Sequence, residues 1–190
     1  MSGTTWTQSE LLYVAIADAT ALATFTTEDN LQKTLPACSI PAGVMTKPTA
    51  SLKVKAAGWL NAVSVAPTFT WSLRLLTTTT WSAGGILLGA TSALTSVIVT
   101  QAWWFLDIDV TLRTQLLGAT STLSTTGEVR SPQGLASPFA GSMPAANTSP
   151  ATATTFDVTQ TYFLFLSAAC GTSNASNSLQ LRALKVYGEN

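Results

Sequence analysis

Apolar and polar residues alternate with a period of two along several stretches of the chain. The clearest runs from Trp104 to Arg113, where Trp104, Leu106, Ile108, Val110 and Leu112 share one side. Successive side chains of a strand point to opposite faces. The pattern therefore predicts a long half-buried strand, spanning roughly 33 Å at about 3.3 Å per residue. A helix would scatter the same residues around its axis. Leu52, Val54 and Ala56 alternate with Lys53 and Lys55, and Phe69, Trp71, Leu73 and Leu75 with Thr70, Ser72 and Arg74. Near the end, Leu179 and Leu181 share a face that Leu184 and Val186 then take over. The change of phase between Ala183 and Leu184 predicts a β-bulge. Tyr162–Leu166 is apolar without interruption and predicts a strand buried on both faces.

Other stretches are less decisive. Leu11–Ile16 and Ala21–Thr26 are β-like, although Glu10–Ala23 also reads as helical. Asp29–Lys33 suits one helical turn or a loop. Ile40–Gly43 has turn chemistry, with proline fixing φ and glycine free to take positive values. Gly84, Gly85 and Gly89 punctuate short strands at Ile86–Leu88 and Leu94–Val99, and Leu117–Val129 alternates weakly. Residues 1–9 predict an extended arm. Residues 131–156 hold Pro132, Pro138, Pro144 and Pro150 among Gly, Ala, Ser and Asn, which predicts one long loop. Many short strands separated by turn signals predict an all-β fold, an antiparallel β-sandwich in a single domain over residues 10–190. No repeat of fixed period is evident.

Composition sharpens this picture. Charged residues make up 9% of the chain, against about 25% in an average domain. Polarity is carried instead by Ser, Asn, Gln and roughly thirty threonines, whose branched Cβ suits a pleated surface. Nine basic and nine acidic residues cancel. A neutral surface gives no long-range attraction to nucleic acid or anionic lipid, so neither is expected as a partner. It also provides little self-repulsion, which favours association. No apolar run approaches the roughly 20 residues of a membrane-spanning helix. The opening Met1–Trp6 lacks the basic and apolar regions of a secretory leader, so synthesis in a cytoplasm is expected. In that setting Cys38 and Cys170 are expected to be reduced and buried.

The chain has no histidine. That removes the commonest general base and metal ligand, and with it any Ser-His-Asp or Cys-His arrangement. Two cysteines alone do not make an ordinary zinc site, and no phosphate-binding loop is present. Asp107 and Asp109 lie two apart on one strand face. Alternation explains them as the solvated side of that strand, and they lack the opposed geometry of a glycosidase pair. Glu28, Asp29 and Glu128 have less support still. No enzyme activity, metal or cofactor is expected. Trp59, Trp71 and Trp104 fall on apolar faces and are expected in the core. Trp103 points opposite Trp104 and is expected at the surface, while Trp6 and Trp81 lie in polar surroundings.

Several stretches, in their order and spacing, resemble the jelly-roll virion structural proteins of tailed bacteriophages. They are Thr27–Leu31 before Ile40–Gly43, then Ser51–Gly58, Pro67–Leu75, Trp104–Arg113 and the closing Asn177–Val186. The resemblance covers roughly residues 20–187. It implies a jelly-roll-like sandwich that is a structural component of the virion, assembled in the host cytoplasm, with no catalytic residues to carry over. Within the family it points to a capsid decoration or cement protein, a homotrimer whose partners are the major capsid protein and its own copies. Trp6, Trp81 and Trp103, with Pro132, Pro138, Phe139 and Pro144 of the long loop, are the candidate contact residues. The alternative is a tail, baseplate or receptor-binding jelly roll, in which Trp6, Trp81 or Trp103 stacks on sugar rings.

Overall fold

Fourteen strands and no helix run through the described residues (9–63, 66–116, 120–145 and 152–189) of the computed structural model. The larger sheet holds β1 (Ser9–Val14), β14 (Ser178–Glu189), β5 (Ser51–Ala62), β9 (Val99–Thr114), β10 (Ser121–Arg130) and β11 (Ala140–Met143) in that spatial order. Within it β2 (Leu22–Ala23) pairs with β14, and β12 (Thr152–Phe156) with β10. The smaller sheet runs β3 (Asp29–Asn30), β13 (Tyr162–Cys170), β6 (Thr68–Leu76), β7 (Ile86–Ala90). There β4 (Cys38–Ile40) pairs with β13, and β8 (Leu94–Thr95) with β6. Every pairing is antiparallel.

The order β1-β14-β5-β9 in one sheet and β3-β13-β6-β7 in the other is jelly-roll wiring. The first and last described strands, β1 and β14, pair with each other, and the chain passes between the sheets at β2–β3, β4–β5, β5–β6, β8–β9, β12–β13 and β13–β14. The strands β10, β11 and β12 are additional, entering between β9 and β13 and widening the larger sheet beyond β9.

Several expectations need correction. Residues 131–156 are not one loop. Ala140–Met143 and Thr152–Phe156 both pair with β10, whose free backbone groups they satisfy. The helical reading of Glu10–Ala23 also fails, because β14 offers an open edge that β1 and β2 fill. Asp29 and Asn30 form a short strand on β13 and lead into a turn. The bulge in β14 falls between Leu181 and Ala183, at Arg182. Residues 1–8 of the expected arm, and with them Trp6, lie outside the described residues, and Ser9 already belongs to β1.

The inward faces of both sheets form one core. Trp71 and Trp104 are fully buried at its centre, with Phe69 beside Trp71 at 6.0 Å between ring centroids. Burying aromatics of this size dominates the energetics of a small core. Gly58 sits opposite Trp104 on the neighbouring strand. A Cβ there would overlap the Gln180 carbonyl oxygen and lie 2.7 Å from the Trp104 ring, so only glycine lets that ring close over the strand. Both cysteines are free and buried.

Trp59 is not part of this core. It lies on β5 two residues beyond Ala57 and in phase with Lys53 and Lys55, on the outer face of the larger sheet. Alternation carried past Ala56 puts it there.

Candidate docking surfaces

The outer face of the larger sheet is organised in rows set by strand register. One row reads Lys185, Lys55, Asp107, Glu128 across β14, β5, β9 and β10. The next, toward the chain-start end of β5, reads Tyr187, Lys53, Asp109, Thr126. On the other side comes Ala183, Ala57, Phe105, Arg130, and beyond it Gln180, Trp59, Trp103. Within these rows lysines lie on β14 and β5 and carboxylates on β9 and β10, and Glu189 of β14 lies one row further on, opposite Ser51.

Within the face, Lys55 bridges Asp107 at 3.2 Å, Lys53 bridges Glu189 at 3.0 Å and Arg130 bridges Glu128 at 3.1 Å. The Glu189 carboxylate raises the Lys53 pKa, with smaller help from Asp109 and Asp107. Trp103 and Phe105 are 43% and 44% exposed. Their ring planes lie 17° apart with centroids at 6.2 Å. Trp59 meets Trp103 edge-on at 5.8 Å. The Arg182 guanidinium covers Trp59 at 4.0 Å and is anchored by Asp18 at 2.8 Å. Cation–π contact over a tryptophan explains why the bulge residue turns outward. A hollow of about 330 Å³ lies between Lys55, Ala57, Phe105, Asp107, Arg130 and Lys185.

A second surface lies on the loops beside the same strands. Ser96 bridges Leu135, Val97 N donates to the Gly134 carbonyl at 3.0 Å, and Ala136 N donates to the Thr95 carbonyl at 2.9 Å. Phe139 is held in the left-handed region at φ 67°, with its N–H bonded to the Ala136 carbonyl. Ser131 Oγ donates to the Trp103 carbonyl at 2.7 Å, tying the loop to β9. On this pinned backbone Val97, Ile98 and Phe139 remain exposed. Pro132 and Pro138 are exposed too. A hollow of about 400 Å³ runs between Ser92–Thr95 and Leu135–Ser142.

The candidate residues thus divide. Pro132, Pro138 and Phe139 share the loop that Ser131 ties to the Trp103 backbone, while the Trp103 ring packs against Trp59 and Phe105 on the outer face of the larger sheet. Pro144 lies apart, half-buried beside Gly89 of β7. Trp81 is on the opposite side of the molecule, half-buried and packed on Phe165 of β13 at 5.7 Å. Its neighbour there is Arg74, which pairs with Phe165 across the strands. Arg74 grips Glu28 in a fork at 2.7 and 2.8 Å, and Ser167 Oγ donates to the same carboxylate at 2.6 Å. Burial acts to raise the Glu28 pKa, but the Arg74 and Ser167 hydrogen bonds and the Arg74 charge outweigh it and hold the carboxyl below its usual range.

Among the described residues no cluster of three or more His, Cys, Asp or Glu is placed to hold a metal ion. Asp107 and Asp109 face Lys55 and Lys53 across the strands on the open sheet face. Sequence reasoning placed Trp59 in the core and passed over Phe105, Arg182 and Ile98. Alternation continued along β5 and β9 puts Trp59 and Phe105 on the outer face, whereas the guanidinium stack and the loop position needed the tertiary structure.

No protein-family model matches the chain, and no curated protein is similar to it. A solved structure, the CBM2 module of the evolved Dit of Lactobacillus casei BL23 phage J-1, aligns over 95% of this chain and 96% of its own. The two are 10% identical, with a TM-score of 0.36. A likeness that remote carries no weight for fold or function, and the jelly-roll assignment rests on the strand order itself.

Proposed function

We propose that the chain is a non-catalytic structural protein of a tailed-phage virion, a jelly roll that decorates the head by protein–protein contact. The observation that carries this reading is the apolar loop surface, with Ile98 68% and Phe139 48% exposed on a backbone fixed by hydrogen bonds. Exposed apolar clusters mark interaction sites. Covering them stabilises a contact by about 25 cal/mol per Å² of apolar surface. A rigid loop adds little ordering cost on docking. The resemblance of the strand motifs to phage virion proteins supplies the setting, and the neutral, charge-poor composition suits a chain destined for an assembly. The partners in this reading are the major capsid protein and sister copies grouped in threes, without nucleic acid or membrane.

The test is cosedimentation with heads of the phage that carries the gene. The wild-type chain is expected to pellet with heads, and the Ile98→Asp/Phe139→Asp variant to bind at least about tenfold more weakly, as loss of two apolar anchors implies. Both changes are at exposed positions, so an unchanged melting temperature verifies folding. Equal binding by the variant, or none by the wild type, rejects the reading.

A second reading, a carbohydrate-binding tail or baseplate module, is favoured by one observation: the exposed, nearly parallel rings of Trp103 and Phe105. Aromatic side chains of that kind stack on sugar rings. Host polysaccharide that shifts tryptophan fluorescence in the wild type but not in Trp103→Ala would support it.

A further inference from the structure

We propose that the outer face of the larger sheet docks a second copy of this chain, through a two-fold axis that runs along the strands between β5 and β9. The charge layout carries the inference. A rotation about that axis lays β5 of one copy over β9 of the other, and β14 over β10, while keeping each row at its own height. Lys53 then faces Asp109, Lys55 faces Asp107, and Lys185 faces Glu128 of the second copy. Each of these contacts occurs twice, as an isologous interface requires.

Side-chain size follows the same rule. Ala57 and Phe105 occupy one row on β5 and β9, so the small residue receives the large one. Trp59 and Trp103 occupy the next row and meet as aromatic pairs at the apolar end of the face. Arg130 and Arg182 approach as like charges, but each already holds an acidic partner, Glu128 and Asp18 respectively. The whole chain carries equal numbers of acidic and basic residues, so no net repulsion opposes pairing.

Four strands at about 4.8 Å give a face roughly 19 Å wide, and Trp103 to Asp109 spans about 20 Å at 3.4 Å per residue. That is a modest patch beside the roughly 800 Å² per partner of a standard interface. The pairing is therefore weak, reversible and sensitive to salt. It uses a different surface from the loops that carry the head-docking reading, so it stands or falls independently of that reading.

The test uses two variants of the full chain with opposite faces: Lys55→Glu/Lys185→Glu, which makes the face acidic, and Asp107→Lys/Glu128→Lys, which makes it basic. Mass is read by sedimentation at low salt. Each variant alone is expected to lose the pairing, and an equimolar mixture to regain twice the mass of its components. Raising the salt to about 0.5 M should reverse that gain. A mixture no heavier than its components, or variants that associate alone as the wild type does, overturns the proposal. Circular dichroism verifies that each variant is folded. The single pair Lys55→Glu with Asp107→Lys repeats the test should a double variant unfold.

Discussion

Trp71 of β6 and Trp104 of β9 meet across the two sheets with ring centroids 6.0 Å apart, at an interplanar angle of 53°. The contact joins the smaller sheet to the larger one at the centre of the core. The two indoles are not equivalent. Trp104 Nε1 donates to the Trp59 carbonyl at 3.3 Å, whereas buried Trp71 Nε1 has no partner among the described residues.

That difference predicts unequal costs for the same substitution. Trp104→Phe loses a hydrogen bond and uncovers Gly58, and should cost about 2–4 kcal/mol. Trp71→Phe loses volume but also removes an unsatisfied buried donor, and should cost at least about 1 kcal/mol less. Urea unfolding of the two variants measures both, and a reversed order would contradict the packing described.

Gly58→Ala should be among the most damaging single changes in the protein. Its new methyl group would collide with the Gln180 backbone carbonyl as well as the Trp104 ring. A backbone atom on a central strand cannot step aside as a flexible side chain does. Destabilisation of about 3 kcal/mol or more is expected from overpacking, measured as a lowered urea midpoint. A loss below about 1 kcal/mol would show that β5 and β14 separate more easily than their register suggests.

The Glu28–Arg74 pair predicts part of the acid sensitivity. The Glu28 pKa is lowered from 4.5 in the folded chain. Its contribution to stability is therefore present above about pH 4.5 and is lost as pH falls through the folded value. Glu28→Gln should remove part of the decline in stability below pH 4.5 and cost about 1–3 kcal/mol at pH 7, typical of a hydrogen bond to a charged group. Unfolding curves at pH 3 and pH 7 test this; identical pH slopes in variant and wild type would contradict it.

The two thiols should be inert in the folded state. Burial pushes Cys38 up to about 12 and also raises Cys170. At pH 8 the Cys38 thiolate is then on the order of one part in ten thousand, and the thiolate is the reactive form. A disulfide reagent should label neither cysteine until denaturant is added, and both afterwards. Rapid labelling of the native chain would show that β4 or β13 opens readily.

Much of the fold was legible because long strands with one wet face write their period into the sequence. Ser51–Ala62, Thr68–Leu76 and Val99–Thr114 all contain the predicted alternations. Some short strands, such as Ile86–Ala90, were marked by their glycine punctuation, but two were not legible. Ala140–Met143 and Thr152–Phe156 carry few large apolar residues and exist because β10 offers an edge. Trp81 stands among polar neighbours in the sequence, and only the fold sets it on Phe165. Trp59 was within reach, since two more steps of the β5 alternation place it outside. The charge rows were beyond reach, because they appear only once four strands are set in register.

The most direct test is immunogold electron microscopy of intact virions with antibody to this chain. The head-decoration reading predicts label over the capsid shell and none over the tail. Label confined to the tail tip or baseplate would contradict that reading and favour the carbohydrate-binding alternative, while unlabelled particles, with antibody binding verified on denatured virions, would exclude an exposed place on the head.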